Sequence, residues 1–224
     1  LVIELIDINK LLTLYETVKY YMRFAIVDNK RIEAAPKAQA LCPGCLQPVI
    51  AKCGLQRVNH WAHLNNKNCD TWWEPETLWH RSWKNNYSTE CMEIVLFDEI
   101  TKEKHIADVR TVDGLVLGFQ HSSINSTERI AREKFYNSML WIVDGTRLKR
   151  DYSRFLKGRT DLEKTNNPAI FHVHFPDECF PSSWIASAVP VIFDFKGNET
   201  IRDPNDLRNH LYCLLPKTEW RPAM

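Results

Sequence analysis

The sequence has no apolar run approaching the length of a membrane-spanning helix, so a spanning segment is not expected. No signal peptide precedes the first domain-like segment, which makes a cytoplasmic location the default expectation. There is no surplus of charge of either sign. With 29 Lys and Arg against 28 Asp and Glu the formal net charge is +1, so any nucleic-acid-binding surface must be local rather than spread over the whole molecule. What is present, in 224 residues, is enough chain for one full core, or for a domain with a small satellite. Tryptophan is plentiful, with four of the eight between Trp72 and Trp83. The seven cysteines are an odd number and two of them form a CxxC, a pattern that favours metal ligation over disulfides.

Residues 1–21 are apolar with scattered charge and fit a helix through Leu11, Leu12, Leu14 and Tyr15, an extension without assigned function. From Met22 the pattern changes to that of a hairpin turning at Asp28-Asn29. Cys42-Pro-Gly-Cys45 then reads as a knuckle, its Pro-Gly bending the backbone so that two thiolates converge on one ion. A second hairpin, turning near Cys53-Gly54, delivers His60 and His63, and Cys69 follows six residues later. Zinc takes four N or S ligands in a tetrahedron, and here five candidates stand for four places. His60 and His63 face opposite sides of a strand, which favours Cys42, Cys45, His63 and Cys69, with His60 as alternate or outer partner and Cys53 as a bystander. A closed site of this kind is structural.

A helix is expected from about Pro75, with Trp79, Trp83 and Tyr87 as a core stripe and Glu76, His80 and Lys84 on the adjoining one. Residues 91–99 form a strand whose early acid is Glu93. Two further strands, joined at Asp113-Gly114, fill residues 102–120. In the first, Ile106, Asp108 and Arg110 share a face; in the second, Gly118 and Gln120 can lie beside Asp108. A helix from about Thr127 to Leu140 follows, with Ile130, Ala131, Phe135 and Met139 as its buried face and Glu128, Arg132 and Tyr136 as its polar one. Arg132 and Tyr136 are within reach of a phosphate in this reading. Residues 140–145 read as a buried strand. Helix, three strands, helix and strand in that order imply a mixed sheet with packed helices. The segment from Thr146 to Asn167 is basic, and its Lys149 and Arg150 are candidates for contacts to a nucleic-acid backbone. The remainder reads as a small β appendage, with His172 and His174 as structural residues, and then a short helix at about 206–215.

The order of motifs resembles the CoiA-like competence protein family over roughly residues 22–145. CPGC with HWAH resembles its zinc-binding N-terminal part, ETLWHRSWK its helix, ADVR its nuclease aspartate strand, and LGFQHSSIN its following strand end. The resemblance implies a restriction-endonuclease-like α/β core of PD-(D/E)XK type at residues 71–150. A zinc-binding β module at residues 22–70 would precede it and a C-terminal extension at residues 151–224 would follow. It implies metal-dependent hydrolysis of DNA in uptake or processing, with DNA and protein partners of a processing complex. Asp108 would coordinate Mg²⁺ or Mn²⁺, and Gln120 would stand where many such nucleases have Lys. Glu76 and His80 would be the helix-borne acid and the proton-transfer or phosphate-binding group, and Lys84 would help position water or phosphate. Position 118 departs, because the family's Glu is Gly118 here, and a hard cation loses a carboxylate. Three accounts stand side by side: an inactivating substitution, an inactive DNA-binding or scaffold protein, or a second carboxylate supplied by Glu93 or Glu76. A zinc-stabilised protein-interaction module is a blander reading.

Overall fold

A computed structural model of the chain describes residues 1–7, 24–54, 59–64, 69–72 and 76–217. Strand β1 (Val2–Asp7) comes first, followed by five short strands, β2 (Ala25–Val27), β3 (Lys30–Ile32), β4 (Gln39–Leu41), β5 (Pro48–Lys52) and β6 (His60–His63). Helix α1 (Leu78–Lys84) leads into β7 (Met92–Phe97), β8 (Lys104–Arg110) and β9 (Val116–Gln120), then α2 (Ser126–Tyr136), β10 (Met139–Asp144) and α3 (Lys149–Gly158). The chain closes with β11 (Leu162–Lys164), β12 (Ile170–Val173), the single turns α4 (Pro176–Cys179) and α5 (Ser182–Ile185), β13 (Val191–Asp194) and β14 (His210–Leu215). The class is the expected one: a mixed sheet flanked by helices, with a small β module near the N-terminus. Among the described residues no helix is long and apolar enough to cross a membrane.

Two compact units divide the chain, residues 15–118 and residues 1–14 with 119–224. The first holds a five-stranded antiparallel sheet in the order β3-β2-β4-β5-β6. Asp28 and Asn29 both have positive φ, 48° and 61°, and close β2 and β3 with the two-residue turn read from the sequence. Helix α1 starts later than expected. Thr77 caps it: its hydroxyl accepts from the His80 N–H at 3.3 Å, and His80 Nδ1 accepts from the Thr77 N–H at 3.2 Å. Glu76 therefore lies before the helix and Tyr87 after it, while Trp79 and Trp83 are buried as the core stripe requires. Strands β7, β8 and β9 form an antiparallel meander. Its second turn places Gly114 at φ 85°, a left-handed conformation that glycine adopts without strain.

The second unit holds six strands in the order β11-β12-β1-β14-β13-β10. All neighbours are antiparallel except β10 and β13, which run parallel with Trp141 beside Val191 and Asp144 beside Asp194. The residues read as an extension thus begin with a strand lying between β12 and β14; the helix read through Leu11 to Tyr15 lies outside the described residues. The segments read as an appendage supply β12 and β13 of this sheet, and residues 210–215, read as helix, are strand β14. Pairing with β1 and β13 overrides the local pattern there. Helix α3 packs Phe155 against Phe180, Phe195 and Tyr212, with ring centroids 4.2–5.9 Å apart.

Helix α2 reverses the expected orientation. Ile130 is 53% exposed, whereas Arg129 and Glu133 are almost fully buried, at 1% and 6%. Glu133 accepts from Arg129 at 2.6 and 2.8 Å, from Trp141 Nε1 at 3.1 Å, from the Ser187 hydroxyl at 2.7 Å and from the Ala188 N–H at 3.2 Å. A buried carboxylate is tolerated when its lone pairs are filled in this way, so a charged pair outside both expected stripes, Arg129 and Glu133, becomes part of the packing face.

Candidate functional site

The knuckle and the return ligands converge. Cys42, Cys45, His63 and Cys69 place one donor atom each within 4.8 Å of all the others. Cys45 Sγ is 3.2 Å from His63 Nε2, and Cys42 Sγ is 3.6 Å from Cys69 Sγ. The Gly44 N–H points at Cys42 Sγ, 3.3 Å away. A Cβ on Gly44 would stand 3.2 Å from Cys69 Sγ, so the approach of these sulfurs favours glycine at this position. His60 pairs with Lys52 at the other end of β6, and Cys53 Sγ lies 3.6 Å from the Ala34 carbonyl; neither joins the cluster. Burial raises the Cys42 thiol above its ordinary range, and burial with the neighbouring sulfurs raises Cys69 further. At Cys45 burial is outweighed by hydrogen bonds from the Gln47 backbone and the adjacent thiols, and its pKa falls. Three thiols and an imidazole in a closed group suit zinc, whose charge lets several thiolates share a small volume.

The second cluster is built on the β7-β8-β9 meander. Met92 pairs with Val109 and Ile94 with Ala107, so Glu93 lies across from Asp108. Val109 pairs with Leu117, and one step along that register puts Gly118 across from Asp108 on its other side. The row therefore reads Glu93, Asp108, Gly118. The carboxylate absent from β9 is present on β7. Two acids facing each other across a ladder repel, and Lys84 of α1 lies between them. Its Nζ is 3.3 Å from Glu93 Oε1, 3.1 Å from Asp108 Oδ1 and 3.8 Å from Glu76 Oε1. Arg81 Nε adds a second cation 3.9 Å from Glu76, and its guanidinium also donates to the Asn59 carbonyl. Glu93 has φ 47°, left-handed for a non-glycine residue, and its other oxygen accepts from the Phe24 N–H at 3.3 Å. Strain of this kind is held in place by surrounding contacts and gathers at functional sites. His80 is buried, and because its Nδ1 accepts from Thr77 the neutral ring carries its proton on Nε2.

Gln120 is buried in the other unit and its amide donates to the Ser122 carbonyl and hydroxyl at 3.3 and 3.1 Å. Arg132 pairs with Glu128 and lies over the Trp141 ring at 5.8 Å; Tyr136, on the same helix, is half-buried and packs against Phe135. Lys149 and Arg150 are exposed in the first turn of α3, next to exposed Arg147. The sequence reading did not single out Arg81, nor Asp70, which joins His105 at 2.8 Å and the Ile106 N–H at 2.8 Å. The one local signal for Asp70 is its place directly after the ligand Cys69.

Residues 25–71, which span the Cys₃His cluster, match the family model of the N-terminal domain of competence protein CoiA. The module is similar to the N-terminal domain of that family, over about a fifth of the chain. No curated protein and no solved structure matches the chain.

Proposed function

We infer that this CoiA-like chain is a metal-dependent nuclease-like protein that hydrolyses DNA phosphodiesters during uptake or processing, with zinc as the structural ion of its Cys₃His site. The observation that carries this reading is the paired acids Glu93 and Asp108, with Glu76 beyond them, gathered on Lys84. Hard carboxylate oxygens suit Mg²⁺ or Mn²⁺, and Asp108 and Glu93 would hold the ion, with Glu76 as a third oxygen source. Once bound, such an ion supplies Lewis-acid charge at the scissile phosphate and lowers the pKa of water. The chain's own part is positional. Lys84 holds the acids together and offers an ammonium to the phosphate, and Arg81 fixes Glu76. His80 anchors the start of α1 through Nδ1, so any proton it gives leaves from Nε2.

Cleavage of single- and double-stranded DNA with Mg²⁺ or Mn²⁺ tests this directly. The native chain should cut, and Asp108→Ala and Glu93→Gln should each lose about 100-fold or more. A rival reading, an inactive DNA-binding or scaffold protein, draws on Gly118 facing Asp108. It wins if native chain and Gly118→Glu both bind DNA and neither cuts. Cleavage by Gly118→Glu alone would mark a nuclease disarmed at one residue.

A further inference from the structure

Asp70 connects the two clusters. It follows the ligand Cys69 directly, and its carboxylate is engaged on both oxygens. Oδ2 accepts from the Ile106 N–H at 2.8 Å, while Oδ1 lies 2.8 Å from His105 Nδ1 and accepts from the Trp72 N–H at 2.9 Å. Trp72 in turn stacks on the His105 ring, with centroids 3.2 Å apart and planes within 10°. The knuckle reaches the same strand from its other end. Lys104 Nζ donates to the Gly44 carbonyl at 2.5 Å, and the Ile106 side chain approaches Gly44. Three consecutive residues of β8, Lys104 to Ile106, are thus tied to the loops that carry Cys42, Cys45 and Cys69. Asp108 is two residues further along, on the same face as Ile106, a rise of about 7 Å.

We propose that Asp70 is a positioning residue that couples occupancy of the Cys₃His site to the geometry of the acid row. The Cys69–Asp70 peptide belongs at once to a metal ligand and to a clamp on β8. With the ligands gathered on an ion, the Asp70 carboxylate is fixed and holds the Ile106 amide, which keeps Asp108 across from Glu93. With the ligands released, the carboxylate and the Gly44 carbonyl both lose their anchor, and β8 loosens at the residues leading into Asp108. For its consequence at Asp108 this rests on the acid row as a divalent-cation site; its geometry does not.

The test uses the full chain, zinc-loaded or zinc-stripped, and the variant Asp70→Asn. Asparagine keeps the shape but turns one acceptor into a donor aimed at the Ile106 or the Trp72 N–H, so the clamp loses a backbone bond while all four ligands remain. Three readouts are needed: thiolate-to-metal absorption of the Co²⁺-substituted Cys₃His site, hydrogen exchange of the β8 amides, and Mn²⁺ binding with Asp108→Ala as blank. Zinc removal from the native chain should speed exchange at residues 104–110 and weaken Mn²⁺ binding, each by about tenfold or more. Asp70→Asn should do the same with an unchanged Co²⁺ spectrum, which a merely structural loss of the module would not allow. Unchanged exchange at β8 after zinc removal overturns the coupling, and so does an Asp70→Asn protein with native exchange and native Mn²⁺ affinity. If the zinc-loaded native chain binds no Mn²⁺, the acid-row reading fails, and exchange at β8 alone then decides the coupling.

Discussion

Lys84 shows how a single residue can set the state of a site. Glu76, Glu93 and Asp108 bring three negative charges against the two of Lys84 and Arg81. The ammonium supplies, without a metal, part of the charge that a divalent ion brings when bound. Replacing it by an apolar chain of similar length leaves Glu93 and Asp108 facing each other without the ammonium between them. Lys84→Met should therefore destabilise the metal-free chain by about 3 kcal/mol in urea denaturation. Mn²⁺ should restore part of that loss, because an ion that binds the folded state alone stabilises it. A variant that loses stability and regains none with Mn²⁺ would mean that the acids do not form a cation site. Cys213 behaves differently. Burial, with Glu4 across the β1–β14 ladder, pushes its thiol from 9.0 up to about 12. Between those values the unfolded chain loses the proton and the folded chain keeps it, so this contribution is intact below pH 9 and is lost as pH rises towards 12. Alkaline unfolding curves of Cys213→Val should be flatter than native by up to about 1.4 kcal/mol per pH unit in that window, and equal in slope at neutral pH.

At the scale of elements, helix α2 is where local pattern and tertiary structure part. The 3.6-residue period suggests an apolar stripe and a polar one, but the face that is buried is that of Arg129 and Glu133, which belong to neither. The choice is made by Trp141 on β10 and by Ser187 and Ala188, 54 and 55 residues beyond Glu133, which fill the carboxylate's lone pairs. Glu133→Ala strands Arg129 as a buried charge and should cost about 3–5 kcal/mol, while Ile130→Ala should fall within about 0.5 kcal/mol of native. Equal effects in urea denaturation would mean that the apolar stripe packs after all. Strands β1 and β14 were illegible for a related reason. Each is a short run whose type is fixed by its pairing partners, β1 by the remote β14, with Val2 beside Leu215 and Glu4 beside Cys213, and β14 by both β1 and β13. The knuckle was legible because its chemistry is local: Cys-Pro-Gly-Cys makes the bend, and His63 and Cys69 follow within one hairpin. Glu93 was visible as a lone acid at a strand start. Its standing opposite Asp108 depends on register, which only the paired strands supply.

The net charge is near zero, yet charge is locally concentrated within each unit, with acids gathered on Lys84 in one and cations at the exposed start of α3 in the other. Lys149 and Arg150 stand in the first turn of α3, where the helix dipole already presents positive potential, and Arg147 lies just before them. If DNA is the substrate, affinity must come from such a patch, because +1 overall steers nothing at physiological salt, where fields decay over about 8 Å. Each phosphate neutralised by this patch releases counterions, so log affinity should fall linearly with log salt. Removing Lys149 and Arg150 together should make that slope shallower by about 2 and weaken binding to every sequence alike. Gly118→Glu supplies the contrast, since it alters the acid row and leaves the α3 patch unchanged. Its salt slope should equal that of the native chain in filter-binding titrations from low to physiological salt. A double variant with the native slope would remove α3 from the DNA path and direct the search to other exposed cations.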